Sequence, residues 1–397
     1  MAKRILIYTN HFYPEQFKIN EIVHWLSSEK YHIRVVTGLP NYPSGEIFKN
    51  YKNIYNSNVQ INRLFLVPRG SGSNFLIIIN YLTYFISCLF FTLYIALFKK
   101  KYDVIFVHHT SPILIAIPPI IYSLFHNPKK ILWDLDIWPE SLRAVNVIKS
   151  KFIITIIRSI VKIIYSNYKV ILVSSKSLID LVAKRFNGRI IHFPNWADSI
   201  IEKNIINKNY DIKLDKNKFN IMYTGNIGEA QDFKSLIQAI ELVEEKIHWT
   251  FVGDGRFKND FKKLLIQKKL QNKITFIDQV KVEKLPSIVS KANALFLSLK
   301  SDNIFSKTVP AKLQTYMALG KPIIGVLKGE GADIIKESKC GIVESKYDYV
   351  ELAKKINSFA NNSEVYHNLL GNNGKSFYQK KYSSIKRKDE ILKLINE

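Results

Sequence analysis

The residues best equipped for chemistry fall into two groups. The first is a loop, Ser306-Lys307-Thr308-Val309, with Lys312 just beyond it. Lysine charge, hydroxyls and free backbone amides together suit an anion such as a phosphate ester. The second group is acidic and imidazole. Asp136 and Glu140 lie in Asp134-Leu135-Asp136-Ile137-Trp138-Pro139-Glu140-Ser141, and His109 lies in His108-His109-Thr110-Ser111-Pro112. A carboxylate or imidazole at the exit of a buried strand can orient or deprotonate a hydroxyl. Taken singly, Asp136 could equally cap a turn, Glu140 could be solvated and His109 could be a hydrogen-bonded spacer.

Positioning these groups requires strands ending just before them. Apolar runs suited to buried parallel strands are Arg4–Thr9, Ile33–Thr37, Val104–Val107, Lys130–Trp133, Val170–Val173 and Ile190–Phe193. After a Lys/Asn-rich stretch, 199–218, the pattern restarts with Phe219–Thr224, Trp249–Val252, Ile274–Ile277, Ala294–Leu299 and Pro322–Val326. Helical segments alternate with them, which predicts two doubly wound α/β domains whose ligands bind at the C-terminal strand ends. The expected boundaries are 1–198, 199–375 and a terminal helix, 376–397, packing back on the first domain. Pro310 suits the first turn of a helix ending at Leu319, with Gly320 as its left-handed stop. Gly225-Asn226-Ile227-Gly228-Glu229-Ala230-Gln231-Asp232 makes a second anion-friendly turn, with Asp232 expected to cap the helix Phe233–Glu244.

Several phrases resemble one family. Ala318-Leu319-Gly320-Lys321-Pro322 resembles the end of the donor-binding segment of family 4 retaining glycosyltransferases. The two glutamates of that segment fall on Lys307 and Thr315, so neither carboxylate is present. The phrases around Tyr13-Pro14-Glu15, Leu39 to Gly45, Asp136 to Ser141, Pro194 to Asp198, Gly225 to Phe233 and Gly329 to Asp333 are similar to a subgroup resembling bacterial N-acetyl-L-fucosamine transferases of O-antigen and capsule assembly. The resemblance implies a GT-B fold, two Rossmann-like domains facing a cleft. It implies a UDP-sugar donor on the second domain and a polyprenyl-diphosphate-linked glycan acceptor on the first. The candidate donor-binding residues are Gly225, Asn226, Gln231, Asp278, Lys300, Ser306, Lys307, Thr308, Val309, Lys312 and Glu330. Tyr13, Asn41, Tyr42 and Trp138 are the acceptor-binding candidates, and Asp136, Glu140 and His109 the catalytic ones. No acidic metal-binding pair accompanies the donor loop, so no metal or other cofactor is expected. A nucleotide-sugar epimerase of the same fold and a non-catalytic membrane scaffold remain as other readings.

The 397 residues fit two domains, and the formal net charge of +25 calls for a polyanionic partner. No helix-turn-helix, zinc or RNA-binding signature occurs, which argues against nucleic acid and for an anionic membrane surface. Phe75 to Phe98 is uncharged and long enough to cross a bilayer, yet a crossing would split one sheet between two sides. It is expected to lie in the interface or dip into one leaflet, with Asn80, Thr83, Ser87 and Phe91 as a thin polar stripe, and burial between the sheet and its neighbours is the other reading. The helix from Lys149 to Tyr168 carries Lys151, Arg158 and Lys162 on one side and isoleucines on the other. The chain opens directly on a strand, with no cleavable signal expected, and Cys88 and Cys340 lie too far apart in sequence to suggest a disulfide framework. With what the resemblance implies, the expected place is the cytoplasmic face of the bacterial inner membrane.

Overall fold

The computed structural model describes residues 2–42, 45–70, 73–144, 148, 150–206, 212 and 214–397. Pro43, Ser44, Lys149 and part of the 199–218 connection lie outside the described residues. The chain forms two compact units, Met1–Pro194 with Lys388–Glu397, and Asn195–Arg387. The divisions fall earlier and later than the sequence suggests, for two reasons. Ala197 and Ile201 pack in the hydrophobic core of the second unit. The helix Glu364–Lys381 stays with that unit, where the Tyr378 hydroxyl accepts the Ala197 amide at 3.0 Å.

Among the described residues the first unit holds seven parallel strands: β1 (Arg4–Thr9), β2 (His32–Gly38), β3 (Val59–Leu64), β4 (Val104–His109), β5 (Lys129–Asp134), β6 (Val170–Val173) and β7 (Arg189–His192). Their order is β3-β2-β1-β4-β5-β6-β7, so the winding direction reverses between β1 and β4. Strand β3 has no counterpart in the sequence reading. It is an edge strand with only Val59 buried, so it carries no apolar run. The last residues of the chain close this unit: Lys3 Nζ donates to the Ile395 carbonyl at 2.7 Å, and Lys388 pairs with Glu29 at 2.8 Å.

The steps from β3 to β4, β4 to β5 and β5 to β6 run the same way along the sheet. Right-handed crossovers therefore set their helices, Asn74–Phe98, Pro118–Tyr122 and Lys151–Ser166, on one face. The first of these turns Asn80, Tyr84, Cys88, Thr92 and Ile95 inward. Tyr84 donates to the Thr9 carbonyl at 2.8 Å, and Thr92 meets the Tyr8 hydroxyl at 2.8 Å. Phe75, Ile78, Leu82, Ile86, Phe90 and Leu97 are exposed, at helical spacing. The expected polar stripe thus faces the protein. Asn80 donates to the Val67 carbonyl at 2.6 Å and Thr83 accepts the Val67 amide at 3.0 Å, because an apolar setting makes those loop groups need partners. On Lys151–Ser166, Phe152, Ile153, Ile156, Ile160 and Ile163 are likewise exposed, while Ile154, Val161 and Ile164 are buried.

Among the described residues the second unit holds six parallel strands: β8 (Phe219–Thr224), β9 (Ile247–Val252), β10 (Ile274–Ile277), β11 (Ala294–Ser298), β12 (Ile323–Val326) and β13 (Gly341–Glu344). The order β10-β9-β8-β11-β12-β13 reverses between β8 and β11. Trp249, Phe251, Phe233, Phe261 and Phe296 fill the core on one side of the sheet. The helix after β8 ends at Leu242, and Asp232 does not cap it. Asp232 adopts φ 53° and its carboxylate instead accepts the Ser235 hydroxyl at 2.9 Å and that of Tyr349 at 3.1 Å.

Candidate functional site

In an open parallel sheet, ligands sit outside the strand ends where the winding reverses, because neighbouring loops part there. In the second unit that place is the mouth of β8 and β11. Gly225 leaves β8 at φ +115°, a conformation that favours glycine. The turn after β9 presses against it: a Cβ on Gly253 would sit 2.0 Å from the Gly225 carbonyl oxygen. The Gly225 amide donates to Val252 and that of Ile227 to Asp254, both at 2.8 Å, which fixes the glycine loop. Gln231 closes it by accepting the Gly228 amide at 3.1 Å. From β11, Ser298 donates to the Gln231 carbonyl and the Lys300 amide donates to that of Ala230 at 2.8 Å.

Lys312 lies over this loop. A Cβ on Gly225 would meet its Cε at 2.7 Å, and its Nζ is 5.1 Å from the centroid of the Tyr223 ring. Burial alone brings the ammonium down to about 8. A buried cation held over a glycine turn is a site in which an anion would restore the lost hydration. The Ser306–Thr308 loop behaves differently from expectation. Its amides bond to Asp302, Ile304 and Phe305, and the Ser306 and Thr308 hydroxyls to Asn303 and Ile304, forming a tight 3₁₀ turn. The amides with no hydrogen bond among the described residues come next, at Val309, Ala311 and Lys312, where the helix Ala311–Leu319 begins. Glu330 stands beside this loop, since Gly329 approaches the Ser306 carbonyl so closely that a Cβ would lie 1.9 Å away. Asp278 is not brought to the mouth. It ends the edge strand β10 with an exposed carboxylate paired to Lys258 at 2.7 Å, which holds it below the usual range.

In the first unit the reversal lies between β1 and β4, and His109 ends β4 fully buried. Its Nδ1 is 2.7 Å from Asp134, whose other oxygen accepts the Tyr165 hydroxyl. Burial and the Asp134 charge push Tyr165 well up, so it remains a donor. An ionised Asp134 can only accept, so His109 Nδ1 carries the proton. Nε2 has no hydrogen-bond partner among the described residues. Asp136 accepts the Ser111 hydroxyl, which also accepts Trp138 Nε1 at 2.8 Å. The Trp138 and His109 rings stand edge on at 6.5 Å. Glu140 is no free base. It pairs with Arg185, whose side chain is almost buried, and with Arg158 at 3.2 Å, which also takes Arg158 out of the basic stripe.

Glu15 organises the other loops at this edge. Its buried carboxylate accepts the amides of Phe12, Asn41 and Tyr42 at 3.1, 2.9 and 2.7 Å, and faces His11 Nδ1 at 3.2 Å. Asn41 and Tyr42 are thereby held together. Tyr13 packs edge on against Tyr51 and Tyr55, and its carbonyl accepts Arg63. Asp134, Tyr165, Arg185, Glu15 and Arg69 escape a reading of the sequence, because each matters through partners far along the chain. For Glu15 the available signals are the family-like phrase Tyr13-Pro14-Glu15 and a lone acid between a strand and a helix.

Residues 204–377 match the family model described as glycosyl transferases group 1. WbjE of Pseudomonas aeruginosa, named as a glycosyltransferase, is 26% identical over 289 residues, 69% of this chain and 70% of that one. WcaI of Escherichia coli (strain K12), named as a colanic acid biosynthesis glycosyl transferase, is 23% identical over 338 residues, 80% of this chain and 81% of the other. The solved structure of Anabaena Alr3699/HepE in complex with UDP superposes with a TM-score of 0.69 at 13% identity, covering 100% of each chain. The chain therefore has the GT-B fold of two parallel-sheet Rossmann-like units, and most of its second unit is similar to the group 1 glycosyl transferases.

Proposed function

We propose that the protein moves a sugar from a UDP-sugar, held by the second unit, to a polyprenyl-diphosphate-linked saccharide held by the first, in assembly of a bacterial surface polysaccharide. The observation that carries this is Lys312 over the Gly225 turn at the β8/β11 switch point, a buried cation whose charge awaits an anion. The Alr3699/HepE complex with UDP and the colanic acid role in the name of WcaI support the donor and product classes. An N-acetylhexosamine, N-acetyl-L-fucosamine in particular, is the sugar that the motifs favour.

In the reaction the bond from the anomeric carbon to the diphosphate oxygen breaks, a bond to the acceptor hydroxyl oxygen forms, and the hydroxyl proton passes to the departing diphosphate. Attack on the same face gives retention. Lys312, Lys307 and the amides of Val309, Ala311 and Lys312 stabilise the charge that builds on the leaving group, in place of a divalent ion. Asp136, and His109 oriented by Asp134, are the groups of the first unit assigned to position the acceptor's hydroxyl. Glu140 serves instead to hold Arg185.

The exposed apolar rows of Asn74–Phe98 and Lys151–Ser166 share one face of the first unit, with Lys99, Lys100, Lys101, Lys151 and Lys162 around them. Apolar area flanked by lysines suits an anionic bilayer surface, the cytoplasmic face of the inner membrane. Because the inward row of Asn74–Phe98 is bonded to the sheet, the helix lies in one leaflet. The test is a panel of UDP-sugars with a lipid-diphosphate saccharide acceptor and membrane vesicles, with and without chelator. Transfer with the donor's anomeric configuration kept, at equal rate under chelation, is expected. Isomerised donor without transfer, or no binding of any UDP-sugar, overturns the proposal.

A further inference from the structure

We infer that Arg69 is the group that takes the diphosphate of a lipid-linked acceptor; the inference rests on the transferase reading above. Arg69 stands at the β1 end of the first sheet, where Nη2 donates to His11 Nε2 at 3.2 Å and to the Tyr81 hydroxyl at 3.3 Å, and Nε to Asn80 at 3.4 Å. Its guanidinium carbon is 5.5 Å from the Tyr42 ring centroid and 5.0 Å from that of Tyr81. Every one of these partners is uncharged or an imidazole. No carboxylate pairs with Arg69 among the described residues, and Nη1 makes no hydrogen bond among them. The nearby acids are engaged elsewhere: Glu15 by three backbone amides and His11, Asp136 by Ser111.

An arginine with aromatic rings beside it and the two N–H groups of Nη1 unused keeps charged donors for phosphate oxygens. The guanidinium is pre-set. Val67, two residues earlier, is clamped to the helix by Asn80 and Thr83, and Glu15 locks the Tyr42 backbone. The same helix supplies the second half of the site. Asn80 and Tyr81 lie one turn from Ile78, where the outward apolar row passes on through Leu82, Ile86 and Phe90. From Ile78 to Phe90 the row runs about 18 Å, enough for the first few isoprene units of a prenyl chain. A diphosphate at Arg69 with its tail on this row joins a cation without a paired carboxylate among the described residues to the apolar row laid in the leaflet, where a prenyl chain runs. The occupant that satisfies both is a prenyl diphosphate.

The experiment titrates the full chain with geranylgeranyl diphosphate, geranylgeraniol and inorganic pyrophosphate in a fixed detergent micelle, with saturating UDP to fill the second unit, read by tryptophan fluorescence. Arg69→Gln is expected to weaken geranylgeranyl diphosphate about ten- to hundredfold and to leave geranylgeraniol unchanged. Arg69→Lys should recover part of the loss, and Leu82→Glu with Ile86→Glu should weaken both prenyl compounds alike. In turnover, Arg69→Gln should raise KM for the acceptor and not for the donor. Equal binding of geranylgeranyl diphosphate by Arg69→Gln overturns the inference. So does pyrophosphate binding as tightly as the prenyl diphosphate, or a loss of geranylgeraniol binding together with a lower Tm. If no sugar is transferred from any donor while prenyl diphosphate binding still depends on Arg69, the transferase reading falls and this site stands.

Discussion

Replacing Lys312 with Met should make the free protein more stable and the donor site worse, and both magnitudes follow from where the ammonium sits. Burial lowers the ammonium from 10.5 to about 8, which corresponds to an upper bound of ~3 kcal/mol of cost carried by the charged form in the folded state. The folded protein binds fewer protons than the unfolded chain between about pH 8 and 10.5, so its stability rises with pH across that window. Below about pH 8 the full cost is present. Methionine removes it while keeping the stem over Gly225; the lost contact with the Tyr223 ring takes back up to about 1 kcal/mol. The net gain at pH 7 is about 2 kcal/mol, and each kcal/mol moves Tm by about 2–4 °C in a unit of this size. The donor diphosphate loses a charge-assisted contact of about 1.5–3 kcal/mol, so KM for the donor rises about 10- to 150-fold. In the unaltered protein that KM should be flat below about pH 8 and climb about tenfold per pH unit above it, as the ammonium deprotonates. Urea denaturation and donor kinetics from pH 6 to 10 measure both. A Lys312→Met protein that is less stable and has an unchanged donor KM would refute the reasoning.

Glu140→Ala should leave Arg185 buried without its counterion and cost about 3 kcal/mol or more in urea denaturation; a lost turnover with unaltered stability would instead make Glu140 a base. Asp134→Asn removes the acceptor that fixes the His109 tautomer, and a fall in kcat of about 10²- to 10⁴-fold at constant donor KM is expected. An unchanged kcat would remove His109 from the reaction. Ile86→Glu with Phe90→Glu alters two outward side chains, so Tm should hold while sedimentation with anionic vesicles drops about 10²-fold or more. Retained vesicle binding would mean that this row does not meet lipid.

The strands were legible because buried parallel strands are short continuous apolar runs, and nearly every such run is a strand in the sheets. The turn chemistry was also local: Gly320 ends its helix at φ 70° and Gly225 turns at φ 115°, both readable from residue type and place. The edge strand β3 was not legible, since a half-exposed strand needs no apolar run. Side chains whose meaning depends on a distant partner were misread or missed. Glu140 looked free until Arg185 was beside it, and Ser306 to Thr308 looked like donors until their own turn consumed them. Arg69 is one arginine among many until folding sets it at His11 with no carboxylate paired to it among the described residues.

Periodicity, apolar content and glycine placement act over a few residues, so the sequence by itself determined the two wound sheets and the loops that can bind ligand. Which charges are neutralised, which helix row faces outward and which lysine is driven below its ordinary pKa depend on contacts across tens to hundreds of positions. Only the tertiary structure decided those, because burial and Coulomb pairing are properties of neighbours in space.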